Sequence, residues 1–229
     1  MFSRHLNWCR FTINMKSIIS AITFLTIITL FFACEAQKKK DNSVKNIKLV
    51  APQGRAIAAF AEGCFWCSEH IFEAVVGVDS AVSGYAGGTT PNPTYELVNT
   101  ETTGHAETVL VYYNPSVISY AELTKVFFTS HDPTTPDQQG PDKGSSYRSI
   151  LFYQTPEEKT LAKESLKNFS SSGLYKKPIV TEIKKLTTFY RAEQYHQDSI
   201  EHNPTNPYVR NVSIPRFELF KKTYQGTLK

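Results

Sequence analysis

A chain of 229 residues with 41% hydrophobic and 13% aromatic side chains can bury one core of ordinary size, so a single globular domain is expected. The formal net charge is +4, but Arg4, Arg10 and Lys16 lie before residue 35 with no acidic residue among them, and the remainder holds 22 basic against 21 acidic side chains. So even a balance, with no internal repeat and no like-charge run longer than Lys38-Lys39-Lys40, argues against a solenoid and gives no footing for nucleic-acid binding.

From Ser17 to Cys34 the sequence SIISAITFLTIITLFFAC carries no charge, follows Lys16 and precedes the polar stretch EAQKKKDNSVKN. A basic start, an apolar stretch and the small residue Ala33 before a cysteine predict a signal peptide over 1–34, with Met15 a natural start for it. Cys34 resembles the lipidated cysteine of a bacterial lipoprotein signal, although Phe31 and Phe32 fit that pattern poorly. An uncleaved anchor is one alternative, since about 18 uncharged residues are at the lower limit for crossing a bilayer; ordinary cleavage is another. All three export the domain, so a periplasmic or surface protein of a bacterium is expected, held to the membrane through a lipid or the N-terminal segment. Residues 35–53 are polar and aperiodic and are expected to form a tether, leaving 54–229 for the domain.

RAIAAFAEG (Arg55 to Gly63) reads as a short buried strand running into GCFWCSEHIFEA. There Cys67, Ile71, Phe72, Val75 and Val76 recur at helical spacing until Gly77. Val78–Ala86 has strand character, and His105–Tyr113 alternates as a strand does. SYAELTKVFF predicts a helix with Ser119 and Glu122 as a capping box. Ser149–Gln154 predicts a strand, and a second boxed helix starts at Thr155, with Pro156 first and Glu158 closing the box. Pro178–Leu186 reads as a strand and Arg191–Asn203 as a short helix. The pattern predicts an α+β fold, a two-layer sandwich with a mixed sheet and flanking helices. Two connections, Gly84–Gly104 and Thr129–Tyr147, are too long for plain connectors and are expected to be functional loops presenting Tyr85, Tyr95, Asp142 and Tyr147.

Beyond the leader, Cys64 and Cys67 are the only cysteines, which excludes a disulfide framework. A metal site needs more ligands than this pair supplies, the six histidines have no zinc-like spacing, and Ser68 stands where a haem-attachment motif needs histidine; no metal is expected. A structural bridge closing so short a loop would stabilise weakly. Redox chemistry is the remaining reading, because a helix N-terminus favours a thiolate through its unpaired N–H groups and its dipole. Position makes Cys64 the candidate nucleophile and Cys67, one turn on, the thiol close enough to resolve an oxidised Cys64. His105 beside Glu107 could suggest a Cys-His hydrolase, but no third orienting residue is evident.

The stretches GCFWC (63–67), SGYAGG (83–88), PNPTYELV (91–98), TGHAE (103–107), HDPTTPDQQGPDKGSSYRS (131–149) and EQYHQDS (193–199) closely resemble, in order and spacing, the A-type peptide methionine sulfoxide reductases. The resemblance implies that Cys64 attacks the sulfoxide sulfur and Glu107 protonates its oxygen. It implies that Tyr95 and Tyr147 hydrogen-bond that oxygen, that Asp142 supports the same loop, and that Phe65 and Trp66 receive the substrate's ε-methyl group. The implied substrate is the S epimer of methionine sulfoxide, free or in peptides and proteins. No bound cofactor is implied, and the electrons come from a thioredoxin-like or other thiol reductant. The chemistry asks for the same residue types independently: a sulfoxide oxygen leaves poorly until protonated, so a carboxylic acid with a raised pKa is the expected partner of the thiolate.

After attack Cys64 would be a sulfenic acid. Many relatives carry resolving cysteines near the C-terminus, whereas NPYVRNVSIPRFELFKKTYQGTLK has none; Cys67 is then the resolving thiol unless an unlipidated Cys34 contributes. Too few residues follow His196 for a second, B-type domain. A monomer is expected. Two other classes compete: a thioredoxin-like thiol-disulfide oxidoreductase, for which CxxC at a helix start is the usual sign, and a non-catalytic surface lipoprotein binding through its long loops.

Overall fold

The computed structural model describes residues 44–229, so the leader, Cys34 and the first part of the expected tether lie outside the described residues. The strands are β1 (Lys45–Ile47), β2 (Ala56–Glu62), β3 (Val78–Ala86), β4 (Ala106–Tyr113), β5 (Gln138–Gln139), β6 (Asp142–Lys143), β7 (Ser149–Tyr153), β8 (Glu182–Lys185) and β9 (Phe189–Arg191). The helices are α1 (Phe65–Glu73), α2 (Tyr95–Val98), α3 (Tyr120–Ser130), α4 (Pro156–Ser171), α5 (Ser199–His202) and α6 (Ile214–Thr223). Seven strands form one sheet in the order β1-β9-β3-β4-β2-β7-β8, and β5 with β6 forms a small separate ribbon. Neighbours in the large sheet are antiparallel except β7 and β8, which run parallel and are joined through α4. This is the expected mixed sheet with flanking helices.

Strand alternation builds the two faces. On β2, Ala58 and Phe60 join the helix-covered core, while Ile57, Ala59 and Ala61 face the other way. On β4, Val109, Val111 and Tyr113 turn to the helices, and Ala106 and Leu110 turn away. Phe60 stacks on Phe72 of α1 with centroids 4.7 Å apart and meets Phe127 of α3 at 5.9 Å, tying both helices to the central strand. Each such fully buried ring contributes roughly 1.5–3 kcal/mol. The same alternation puts Glu62 and Glu107, both buried, on the helix side of the sheet.

Part of the segment expected to be a tether belongs to the sheet. Lys45–Ile47 pairs with Phe189–Arg191, and Ile47, Leu49 and Ala51 pack on the outer face. Their spacing is that of one face of a strand, masked in the sequence by the polar residues between them.

The two helix caps form as predicted: the side chains of Ser119 and Thr155 accept from Glu122 N at 3.1 Å and Glu158 N at 3.2 Å. Glu158 reaches back to Gln154 N, one residue before its cap, and Glu122 pairs with Lys125 instead of closing a box. The strand expected over Pro178–Leu186 is limited to Glu182–Lys185, because Pro178 has no N–H and Val180 N bonds to Pro133 O instead. The helix α1 stops at Glu73, and Val75 bridges to Leu228 near the C-terminus.

The helix expected over Arg191–Asn203 is broken into the end of β9, a 3₁₀ turn at Gln194–His196 and the single turn α5, with Asp198 at φ 51° between them. Interior polar side chains explain the break. Gln197 accepts from Ser83 N and donates to Ser83 O and Ala192 O, and Glu193 accepts from the Tyr85 hydroxyl and from Tyr95 N. These bonds satisfy backbone groups of β3 and fasten α2, which a regular helix would not do.

Candidate active site

β2 ends at Glu62, and Gly63 turns the chain into α1 with φ 89°, a conformation that favours glycine. A Cβ there would lie 2.4 Å from Cβ of Gln139, so the turn is also sterically closed to larger residues. Cys64 is the N-cap of α1 and Cys67 lies in its first turn; both are free thiols, 8% and 2% exposed.

Glu107 reaches this helix start from β4. Its Oε2 accepts the Phe65 N–H at 3.0 Å. Burial pushes its carboxyl up to about 8 despite that bond, so it holds a proton at neutral pH and can give it up.

The helix-terminal field expected to make Cys64 the thiolate is spent elsewhere. Phe65 N–H goes to Glu107, while Cys67 N and Ser68 N donate to Cys64 O. The hydrogen bond between the two sulfurs, then burial, pushes the Cys64 thiol well up, and the same bond pulls Cys67 down to about 6, helped by Arg216 and Ser213. These directions make Cys67 the sulfur of the pair that more readily carries negative charge.

Arg216 of α6 supplies the cation behind the pair. Its Nη2 donates to Glu62 Oε1 at 2.9 Å and to Glu62 O at 3.0 Å, and its Nε donates to Ser130 O at 2.7 Å. Glu62 Oε2 accepts from Ser130 Oγ at 2.7 Å. Burial raises the Glu62 carboxyl to about 7 against the pull of Arg216. Breaking a buried pair on one side costs about 3–5 kcal/mol when the remaining charge stays uncompensated. Glu62, at about 7, can instead take up a proton, so Arg216→Met is expected to lose about 1–2 kcal/mol from the pair at pH 8. The cost should shrink at pH 5, where Glu62 is neutral and needs no partner; urea unfolding at the two pH values checks this.

Aromatic side chains wall the same site. Phe65 is buried, with ring centroids 5.8 Å from Tyr85 and 4.9 Å from His196. Trp66 is half-buried; its Nε1 donates to His196 Nδ1 at 3.0 Å, and its ring meets Tyr208 edge-on at 6.1 Å. Because His196 Nδ1 accepts, the proton of this neutral ring sits on Nε2; burial pulls the histidine down to about 4. Tyr95 starts α2 with its ring 4.5 Å from His196. Tyr147 and Asn99 both act on the Tyr95 hydroxyl. Burial, then Glu107, Tyr95, Asp142 and Cys64, raises the Tyr147 phenol, so it stays a donor. Asp142 accepts a short hydrogen bond from Tyr208, and that same hydroxyl interacts with Cys64.

The structure thus brings Cys64, Cys67, Glu107, Tyr95, Tyr147, Asp142 and Trp66 into one site, with Phe65 in the core beneath. The sequence reading missed Tyr208, Ser213, Arg216, Glu62 and the structural role of His196. Tyr208 precedes and Ser213 ends the π-helical turn Val209–Ser213, and their segment carries no periodicity or motif that marks it. The EQYH stretch did mark His196. Among the described residues no group of three or more His, Cys, Asp and Glu side chains could hold a metal ion.

Comparison with known proteins agrees with this arrangement. The sequence model of the peptide methionine sulfoxide reductase family matches residues 56–228. The chain is 46% identical over 173 residues to peptide methionine sulfoxide reductase MsrA of Thermus thermophilus, covering 76% of this chain and 97% of that protein. It is 47% identical over 169 residues to MsrA of Natronomonas pharaonis, covering 74% and 95%. Among solved structures, Mxr1 from Saccharomyces cerevisiae in reduced form superposes with TM-score 0.64 at 33% identity, covering 71% of this chain and 91% of that one. Methionine sulfoxide reductase A of Corynebacterium diphtheriae gives 0.63 at 34%, covering 68% and 78%. With more than two thirds of the chain aligned to these reductases, and a thiol pair set beside a buried carboxylic acid, the protein belongs to the A-type peptide methionine sulfoxide reductase family.

Proposed function

We propose that the enzyme reduces the S epimer of methionine sulfoxide, free or in peptides and proteins, through a sulfenic acid on Cys64 that Cys67 resolves. The observation that carries this reading is the buried Glu107 carboxyl fixed on Phe65 N–H, one residue from Cys64, where burial favours its protonated form. Tyr95 and Tyr147 orient the sulfoxide oxygen, and Trp66 with the ring of Phe65 behind it receives the methyl group. As Cys64 sulfur attacks the sulfoxide sulfur, its proton passes to the Cys67 thiolate and Glu107 gives its proton to the departing oxygen. The sulfur–sulfur bond so formed then breaks as the hydroxyl passes to Cys64, releasing methionine and leaving Cys64 as the sulfenic acid. Cys67 then attacks Cys64; the oxygen leaves as water with the two protons that began on Cys64 and Glu107, and a Cys64–Cys67 disulfide remains. Two electrons have passed from the thiols to the substrate sulfur. Glu107 regains its proton from solvent, and a thioredoxin-like or other thiol reductant reopens the disulfide.

Export and membrane attachment through Cys34 are proposed from the uncharged leader alone. The thioredoxin-like exchange reading gives no role to Glu107 and the two tyrosines, and the binding-lipoprotein reading gives none to the thiols. The test is turnover of peptide methionine S-sulfoxide and R-sulfoxide with dithiothreitol. Reduction of the S epimer at least about 100-fold faster than the R epimer is expected. Failure of a folded protein to reduce either epimer would sink the proposal.

A further inference from the structure

A cavity of about 1030 Å³ opens beside the thiol pair, and its walls assign it a different task from the substrate site. Cys67, Arg216, Asp142 and Tyr208 line it, so it adjoins the substrate site, whereas Cys64, Glu107, Tyr95, Tyr147 and Trp66 do not. Its outer wall carries Lys176, Lys177 and Lys222, all exposed and none in an ion pair among the described residues. The acids on the wall are engaged: Asp142 accepts from Tyr208, and Asp132 from Thr134 N and Oγ1. Cys67 is 2% exposed, and the cavity it lines gives a small thiol a route to its sulfur.

We propose that this cavity binds a small thiol bearing carboxylates, which reduces the enzyme by attacking Cys67 Sγ. The inference rests on the Cys64–Cys67 disulfide proposed above. The lysines hold the carboxylates of the incoming thiol while its sulfur passes inward. Its thiolate bonds to Cys67, the disulfide breaks, and Cys64 leaves as a thiolate that takes up the proton the small thiol lost. A second molecule of the thiol attacks the sulfur of the first, giving the oxidised small disulfide and freeing Cys67 with its charge beside Arg216. Two thiols are oxidised and one protein disulfide is reduced. Substrate and reductant thereby reach the pair through different openings.

The experiment measures steady-state reduction of a methionine S-sulfoxide peptide with reduced glutathione, cysteamine or dithiothreitol as sole reductant. Wild type and the triple variant Lys176→Glu, Lys177→Glu, Lys222→Glu are compared. Glutathione, the anionic probe, should saturate, with a KM that rises with salt. The triple variant should raise that KM about fivefold or more while leaving turnover with dithiothreitol unchanged and favouring cationic cysteamine. Equal glutathione kinetics in the two proteins, or no preference of the wild type for glutathione over cysteamine, would overturn the assignment. Absence of turnover with dithiothreitol in the wild type would instead fault the reductase reading itself.

Discussion

Cys64→Ser is expected to leave no measurable sulfoxide reduction, a loss of at least about 10⁴-fold, because a hydroxyl cannot take up the sulfoxide oxygen as a thiol does in becoming a sulfenic acid. Cys67→Ser should behave differently. It should return about one methionine per chain without added thiol and then stop, since nothing remains to expel the oxygen from Cys64. Its first turnover should also be slower than that of the wild type, because the Cys67 thiolate that accepts the Cys64 proton is gone. Both side chains are buried, so far-UV circular dichroism and an unfolding curve belong beside the kinetics. Equal loss of the first turnover in both variants would contradict the division of labour between the two sulfurs.

Glu107→Gln is the second large effect, with kcat/KM expected to fall by about 10²–10⁴-fold. The amide keeps the shape of the acid and its Oε1 can still accept the Phe65 N–H, so the loss reports the missing proton and not a displaced helix. The pH profile separates the two. Wild-type rate should fall as pH rises through about 8, where the Glu107 carboxyl loses its proton, and the Gln variant should lack that limb. Stability carries the matching sign. A carboxyl whose folded pKa is raised above its unfolded value contributes stability that is full below the unfolded pKa and is lost as pH rises through about 8. The amide has no charge to bury, so the variant should gain on the wild type between pH 6 and pH 9 in urea midpoint. A parallel decline of both proteins with pH would show that Glu107 is not the buried acid described here.

Much of the fold was legible because its central elements announce themselves locally. Phe60 and its neighbours form an apolar run, Ser119 and Thr155 cap helices, and His105–Tyr113 alternates. What was not legible depends on distant partners. Ile47 joins a strand, and Leu49 and Ala51 pack after it on the outer face, only because the sheet is there to receive them. The helix expected over Arg191–Asn203 lost to the hydrogen bonds of Glu193 and Gln197 with β3 and α2, partners more than 90 residues away in the chain.

The site divides the same way. Cys64, Glu107, Tyr95, Tyr147 and Asp142 lie in short motifs that carry the family resemblance, and their convergence follows from the alternation of β4 and the two long loops. Arg216 and Tyr208 sit on a segment with no motif, and only the packing of α6 against α1 and α3 brings them to the sulfurs. They bear on the thiol pair itself: the hydrogen bond between the sulfurs, with Arg216 behind Cys67, pulls the Cys67 thiol down and favours negative charge there.

The most direct test of the chemistry is the intact mass of Cys67→Ser protein after mixing, without reductant, with one equivalent of a methionine S-sulfoxide peptide. The account predicts about one reduced peptide per chain and a mass gain of one oxygen atom located on Cys64, erased by later addition of thiol. Reduced peptide without that gain, or oxygen on any other residue, would contradict it.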